Sequence, residues 1–151
     1  MTIRLATADD DAFLGRAFRR MWLDVGIEEA GIVGNAEDRV QAFIDDARER
    51  LDFRAFIAEH EGTPIGCAAA QRFAGLYPDV LSPAVRRYAY LWGVWVDADH
   101  RRRGLGKALT EAVVESLRGD YTHVLLHAAP MGKGLYKRLG FAKTNEMKLE
   151  L

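Results

Sequence analysis

The sequence holds a single cysteine, Cys67. That excludes an internal disulfide framework and points to a protein of the cytoplasm. An excess of either charge is also missing: 21 lysines and arginines stand against 22 aspartates and glutamates, a net charge of −1. Without a basic surplus to neutralise phosphates, nucleic acid is not an expected partner. No apolar run in the sequence approaches the roughly 20 residues that cross a bilayer, so no membrane partner is expected either. Met1-Thr2-Ile3-Arg4-Leu5 lacks the apolar stretch of a signal peptide. His60, His100, His123 and His127 show no metal-ligand spacing with one another or with Cys67, so no metal is expected. Repeats, low-complexity tracts and linkers are absent. What the chain does have is 151 residues, 49% of them hydrophobic and 28% charged, enough for a packed core in one domain over residues 1–151.

Ile3 to Ala6 reads as a first strand. Thr7 and Asp10 follow at capping-box spacing, with aspartate in place of the usual glutamate or glutamine. Phe13, Leu14, Ala17, Phe18, Met21 and Trp22 recur at helical spacing, and the helix ends near Gly26. Gly26 to Gly34 reads as a loop, and Ala36 to Leu51 as a second helix with Val40, Phe43, Ile44 and Ala47 on one face. Phe53–Glu59 and Ile65–Phe73 flank the turn signal Glu61-Gly62-Thr63-Pro64 and form a hairpin. Tyr77 to Arg86 reads as irregular. The run Tyr88 to Val96 is nearly all apolar, as in a strand buried on both faces. A helix over Gly104 to Leu117, a strand over Tyr121 to Ala128, a short helix over Met131 to Leu139 and a final strand or two over Phe141 to Leu151 complete the order β-α-α-β-β-β-α-β-α-β. That order predicts a mixed α/β (α+β) sheet with helices on both faces.

The informative stretch is Val94 to Lys107, V-W-V-D-A-D-H-R-R-R-G-L-G-K. A buried strand runs through a short loop into Arg101-Arg102-Arg103-Gly104-Leu105-Gly106 and then a helix. First-turn amides have no intrahelical partner, and with the helix dipole they make an anion site suited to a pyrophosphate. Small residues let the ligand approach the backbone, and the three arginines add positive charge. The spacing is neither that of a P-loop nor that of the dinucleotide fingerprint, whose third glycine is replaced here by Leu109. Gly93 interrupts a bulky strand. It marks either a bulge or relief of crowding beside Trp92.

With Arg101, Gly104 and Gly106 matching the pattern Arg/Gln-x-x-Gly-x-Gly/Ala, the sequence resembles the GNAT superfamily of acyl-CoA-dependent N-acyltransferases. Leu135-Tyr136-Lys137-Arg138-Leu139-Gly140-Phe141 is similar to the family ending Leu-Tyr-x-x-x-Gly-Phe, and stands about 30 residues further on, as in the family. The resemblance implies a mixed central sheet of six to seven strands flanked by about four helices. It also implies acetyl-CoA as co-substrate, and direct transfer of the acetyl group to a primary amine of a small molecule or a protein. Val94, Trp95 and Val96 would offer backbone groups to the pantetheine arm. The main chain of Arg102, Arg103, Gly104, Leu105, Gly106 and Lys107 would hold the pyrophosphate, and Arg101 opens the motif. In the family the fourth and fifth strands splay here to admit the thioester. A second copy of the chain is a partner in keeping with such folds. The competing reading is a non-catalytic acyl-CoA-binding sensor with the same fold.

Acetyl transfer needs a neutral amine, a donor for the developing oxyanion and an acid for the departing thiolate. A backbone N–H near Val94 supplies the donor. Tyr136 stands at the family position of the acid, and a phenol of pKa about 10 is protonated at neutral pH. Many relatives carry a glutamate base on the fourth or fifth strand, whereas here the fourth strand has no acid and Val124 holds a common carboxylate position. Deprotonation is left to ordered water, His127, Tyr90 or Glu28. Glu28 and Glu29 lie in the loop that, by the resemblance, borders the acceptor pocket, where they would attract a cationic amine. Ala129 replaces an asparagine that bonds the cofactor in many relatives. Cys67 reads as a small buried residue and Trp22, Trp92 and Trp95 as core, with one of the three able to line the acceptor pocket.

Overall fold

A computed structural model describes residues 1–151. Five strands form one sheet in the order β1-β2-β3-β4-β5: β1 Thr2–Leu5, β2 Arg54–His60, β3 Thr63–Arg72, β4 Tyr88–Val96 and β5 His123–Leu125. The first four pair antiparallel, and β5 runs parallel to β4. Helices α1 (Asp11–Asp24) and α2 (Ala36–Arg50) cover one face, and α3 (Leu105–Leu117) covers the other. A short helix α4 (Lys133–Arg138) follows β5.

The core divides along these faces. Leu14 and Ala17 of α1 and Val40 and Ile44 of α2 meet Ile57, Cys67, Ala69 and Trp95 on one side. Leu105, Leu109, Val113 and Leu117 of α3 meet Ala58, Ala68, Ala70, Ala89 and Leu91 on the other. Central β3 is built from small residues because β4 brings large ones beside it. A Cβ on Gly66 would lie 2.9 Å from the Trp95 carbonyl oxygen, a contact that close packing does not accommodate.

The entry to α1 is capped as its spacing predicts. Asp10 accepts from the Thr7 amide at 2.8 Å, and its amide donates to the Thr7 carbonyl at 3.1 Å. Arg4 reaches across from β1 and donates to both Asp10 oxygens, at 2.7 and 2.8 Å. The Arg4 hydrogen bond, aided by the Thr7 amide, holds the Asp10 carboxyl below its ordinary range despite the cost of burial. A depressed native pKa stabilises the fold above the unfolded-state value and loses that contribution as pH falls through the native one. Asp10→Asn therefore lowers the unfolding free energy at neutral pH by about 1–2 kcal/mol. In urea titrations the deficit shrinks once pH drops below the unfolded carboxyl value of about 3.9.

Two expectations are corrected. The sheet has five strands, not six or seven, because Phe141 to Leu151 forms no strand. Met147, Leu149 and Leu151 alternate as a strand would, yet all are exposed, and no backbone hydrogen bond involves residues 142–151. Alternation yields a strand only where an edge and a core face receive it. The strand expected over Tyr121 to Ala128 shortens to His123–Leu125, after which the chain leaves β4 and turns at Pro130–Gly132.

Candidate active site

The site begins where β4 loses its neighbour. β4 and β5 pair through Tyr88↔His123, Ala89↔Val124 and Tyr90↔Leu125, and no further. From Leu91 to Val96 the β5-side edge of β4 has no strand partner, so the two strands open into a gap. On its other side β4 stays paired with β3, but the register slips. Cys67 faces Trp95 and Ala69 faces Trp92, leaving Gly93 and Val94 opposite Ala68 alone. That is a bulge, and Gly93 sits in it at φ +62°. A Cβ there would meet only Phe18, at an ordinary 3.8 Å, so backbone conformation and not crowding demands the glycine. Gly93→Ala is therefore expected to destabilise the protein by about 1–2 kcal/mol, the cost of a left-handed residue with a Cβ, measured by chemical denaturation. Beneath the bulge the Cys67 Sγ lies 3.4 Å from the Gly93 carbonyl oxygen. Burial pushes that thiol up to about 12, so Cys67 is an inert packing residue.

Beyond Val96, the Asp97 side chain caps the turn Ala98–His100 through the Asp99 amide at 3.1 Å. Arg102 then takes φ +60° and Gly104 φ +81°, and α3 starts at Leu105. The first helical amide to find a carbonyl is Ala108, bonded to Gly104 at 3.0 Å. The six amides of residues 102–107 donate to no group of the protein. Successive unengaged N–H groups around left-handed residues at a helix start form an anion-binding concavity. Leu105 turns its side chain into the core and contributes main chain only. Lys107 pairs with Glu111 at 3.0 Å. Arg102 and Arg103 are exposed and carry no ion pair.

Arg101 has a structural part that its place in the motif does not signal. Its Nε donates to the Val96 carbonyl at 2.8 Å, and its guanidinium pairs with Asp24 at the end of α1. The same Asp24 oxygen accepts from the Trp95 indole N–H at 2.9 Å. Arg101 thus ties the end of β4 to α1, and its charge is partly neutralised, so the free charge beside the amides is that of Arg102 and Arg103. Val94 and Val96 pack toward α3, and Trp95 is buried edge-on to Phe13 at 6.3 Å. Along this stretch the free β5-side edge of β4 presents backbone groups.

On the α3 side, helix α4 docks against the start of α3, where a Cβ on Gly106 would lie 3.6 Å from Leu135. Tyr136, the next residue, is half-buried, packed edge-on to Phe141 at 5.8 Å and seated over Gly132. Burial raises its phenol above the ordinary tyrosine value, which keeps the proton on oxygen. His127 lies just past β5 with both ring nitrogens engaged: Nδ1 meets the Tyr90 hydroxyl and Nε2 meets Glu146 Oε2 at 2.6 Å. Glu29 is paired with Arg19, whereas Glu28 is exposed and unpaired. Ala129 opens the turn before α4, its carbonyl accepting from the Gly132 amide at 2.9 Å. Trp92 is half-buried, bonded to Gln71 and ringed by Phe18, Phe43 and Phe53. Trp22 and Phe43 each remain 44% exposed at the rim of that cluster. Asp24 and Glu146 carry no signal in the sequence, since neither lies within a motif or at a telling distance from its partner.

This arrangement suits an acyl-CoA: an open strand edge, a bulge beside it and an unengaged run of amides at its end. The acetyltransferase (GNAT) family model matches residues 20–141, and the chain belongs to that family. It is 33% identical over 95 residues to N-acetyltransferase 8B of Mus musculus, covering 60% of this chain and 38% of that protein. It is 31% identical over 96 residues to N-acetyltransferase 8 of Homo sapiens, covering 60% and 39%. The matched stretch spans about two-fifths of the length of these curated relatives. Among solved structures, a GCN5-related N-acetyltransferase from Ralstonia eutropha JMP134 superposes with TM-score 0.84 at 22% identity, covering 99% of this chain and 97% of that one. A predicted acetyltransferase with acetyl-CoA from Clostridium acetobutylicum does so with TM-score 0.82 at 23% identity, covering 99% and 94%. These two likenesses concern the fold.

Proposed function

We propose that this chain, acting as one domain, is an N-acetyltransferase that moves an acetyl group from acetyl-CoA directly to a primary amine of a small molecule or a protein. The observation that carries the reading is the run of six unengaged amides over residues 102–107, placed at the end of the unpaired edge of β4. Those amides hold the pyrophosphate, with Arg102 and Arg103 adding charge. The open edge from Val94 to Val96 holds the pantetheine arm as an added strand would. Bound acetyl-CoA supplies a thioester carbonyl for attack and a thiolate that leaves.

The chain's own groups do the rest. A backbone N–H at the Gly93–Val94 bulge stabilises the negative charge that develops on the carbonyl oxygen. Tyr136, kept neutral by burial, donates its proton to the sulfur as the C–S bond breaks. His127 takes part in accepting the proton the amine must shed. The half-exposed faces of Trp22 and Phe43 beside Trp92 give the acceptor an apolar approach, with Glu28 as the free carboxylate for its cationic end. The buried, unpaired Cys67 fits action in the reducing cytoplasm.

Two measurements test the reading. Calorimetry is expected to show binding of acetyl-CoA and none of ATP. Thiol release from acetyl-CoA is expected to accelerate with members of a primary-amine panel. Binding without release for every amine would reduce the protein to an acyl-CoA sensor.

A further inference from the structure

The proposed chemistry needs a base, and β4 lacks the carboxylate that would make an obvious one. Three polar groups from three separate segments meet at the fork of the sheet instead. Tyr90 is the last residue of β4 to pair with β5, through Leu125. His127 follows two residues beyond that pair, and Glu146 comes from the C-terminal segment. The Tyr90 ring is fixed by stacking on Phe73 at 5.5 Å and 27°. Its hydroxyl meets His127 Nδ1, and His127 Nε2 meets Glu146 Oε2 at 2.6 Å. No other hydrogen bond or ion pair reaches the imidazole.

The roles along this chain follow from donor and acceptor chemistry. A carboxylate only accepts, so Glu146 places the imidazole proton on Nε2. In the neutral imidazole Nδ1 then carries the lone pair, and the Tyr90 O–H donates to it. With both ring nitrogens taken, His127 has no atom left to touch an amine. The Tyr90 oxygen, with lone pairs to spare, does. The donor–acceptor order is that of a carboxylate-oriented histidine activating a hydroxyl, with tyrosine in the hydroxyl's place and with the His127 and Glu146 side chains open to solvent at 64% and 66%.

We infer that Tyr90, His127 and Glu146 form a proton relay that deprotonates the acceptor amine, with Tyr90 as the catalytic residue and His127 and Glu146 acting through it. The inference rests on the acetyltransferase reading above. The acceptor ammonium gives one proton to the Tyr90 oxygen as the Tyr90 hydroxyl proton passes to His127 Nδ1. The freed electron pair on nitrogen forms the N–C bond while the C–S bond breaks. A second proton leaving nitrogen goes to solvent and balances the one that solvent returns to Tyr136 after it has protonated the sulfur. The imidazolium, held beside Glu146, releases its extra proton to water, so each turnover frees one proton. No oxidant, reductant or further reactant is needed.

The test combines turnover with a readout taken on the ligand-free protein. Tyr90→Phe keeps the ring and its stack on Phe73, and is expected to lower kcat/KM for the amine by about 100-fold or more, the usual span of a lost general base. Calorimetric affinity for acetyl-CoA stays within about twofold of the parent, since no CoA contact is removed. His127→Gln is expected to match Tyr90→Phe, and combining the two to add little, because they act as one unit. In ¹⁵N NMR of the neutral imidazole, the parent shows the proton on Nε2, and Glu146→Ala lets both tautomers populate. A proton on Nδ1 in the parent, or parental turnover in Tyr90→Phe, overturns the relay while leaving the acetyltransferase reading standing. A parent protein that binds acetyl-CoA but acetylates no amine overturns both.

Discussion

Placing aspartate at Gly104 is expected to weaken acetyl-CoA binding by 100-fold or more without unfolding the protein. Two effects add. Gly104 holds φ +81° at the cap of α3, and a side chain there costs about 1–2 kcal/mol or forces the loop to shift. The new carboxylate also faces a diphosphate. Two like charges some 4–5 Å apart repel by about 3–4 kcal/mol at an effective dielectric of 20, and each 1.4 kcal/mol is a factor of about ten in affinity. Gly119→Asp is the matched control. Gly119 has φ +82°, a Cβ there meets nothing within 4 Å, and it lies just past the other end of α3. It is expected to lower the melting temperature at least as much as Gly104→Asp while leaving the calorimetric affinity at the parental value. If the two variants lose affinity equally, the effect belongs to the fold and not to the amide cradle.

Tyr136→Phe is expected to lower kcat by about 100- to 1,000-fold, within the range for loss of a general acid, while the acetyl-CoA dissociation constant changes less than about twofold. The variant keeps the ring over Gly132 and its edge contact with Phe141, so the seat of α4 is preserved. The phenol itself has no hydrogen-bond partner in the protein, leaving its proton free for a ligand. The contrast between kcat and affinity is what distinguishes an acid from a packing residue. A packing role would leave the chemical step intact and show as lost stability. Unchanged kcat in single-turnover thiol release would remove Tyr136 from the reaction.

Most of the fold was legible because its signals are local. The Thr7–Asp10 cap needs only a three-residue spacing, and helices α1, α2 and α3 announce their buried stripes through Leu14, Ile44 and Leu109. Gly93 in the bulge and Gly104 at the cap of α3 each carry a positive φ that their residue type permits. The unengaged amides follow from having a helix start at Leu105 at all. What stayed hidden depends on distant partners. The pairing of Arg101 with Asp24 spans 77 positions, and that of His127 with Glu146 spans 19. Neither spacing matches any local period. The apolar alternation in Met147, Leu149 and Leu151 promised a strand that the structure does not form, since periodicity describes a side chain's neighbours only where a second surface receives it.

A crystal structure of the protein with coenzyme A would show where the diphosphate binds. The diphosphate oxygens are expected within hydrogen-bond distance, about 2.7–3.2 Å, of main-chain nitrogens in residues 102–107, with the pantetheine arm in the gap between β4 and β5. A diphosphate bound elsewhere, with those amides facing solvent, would contradict this placement.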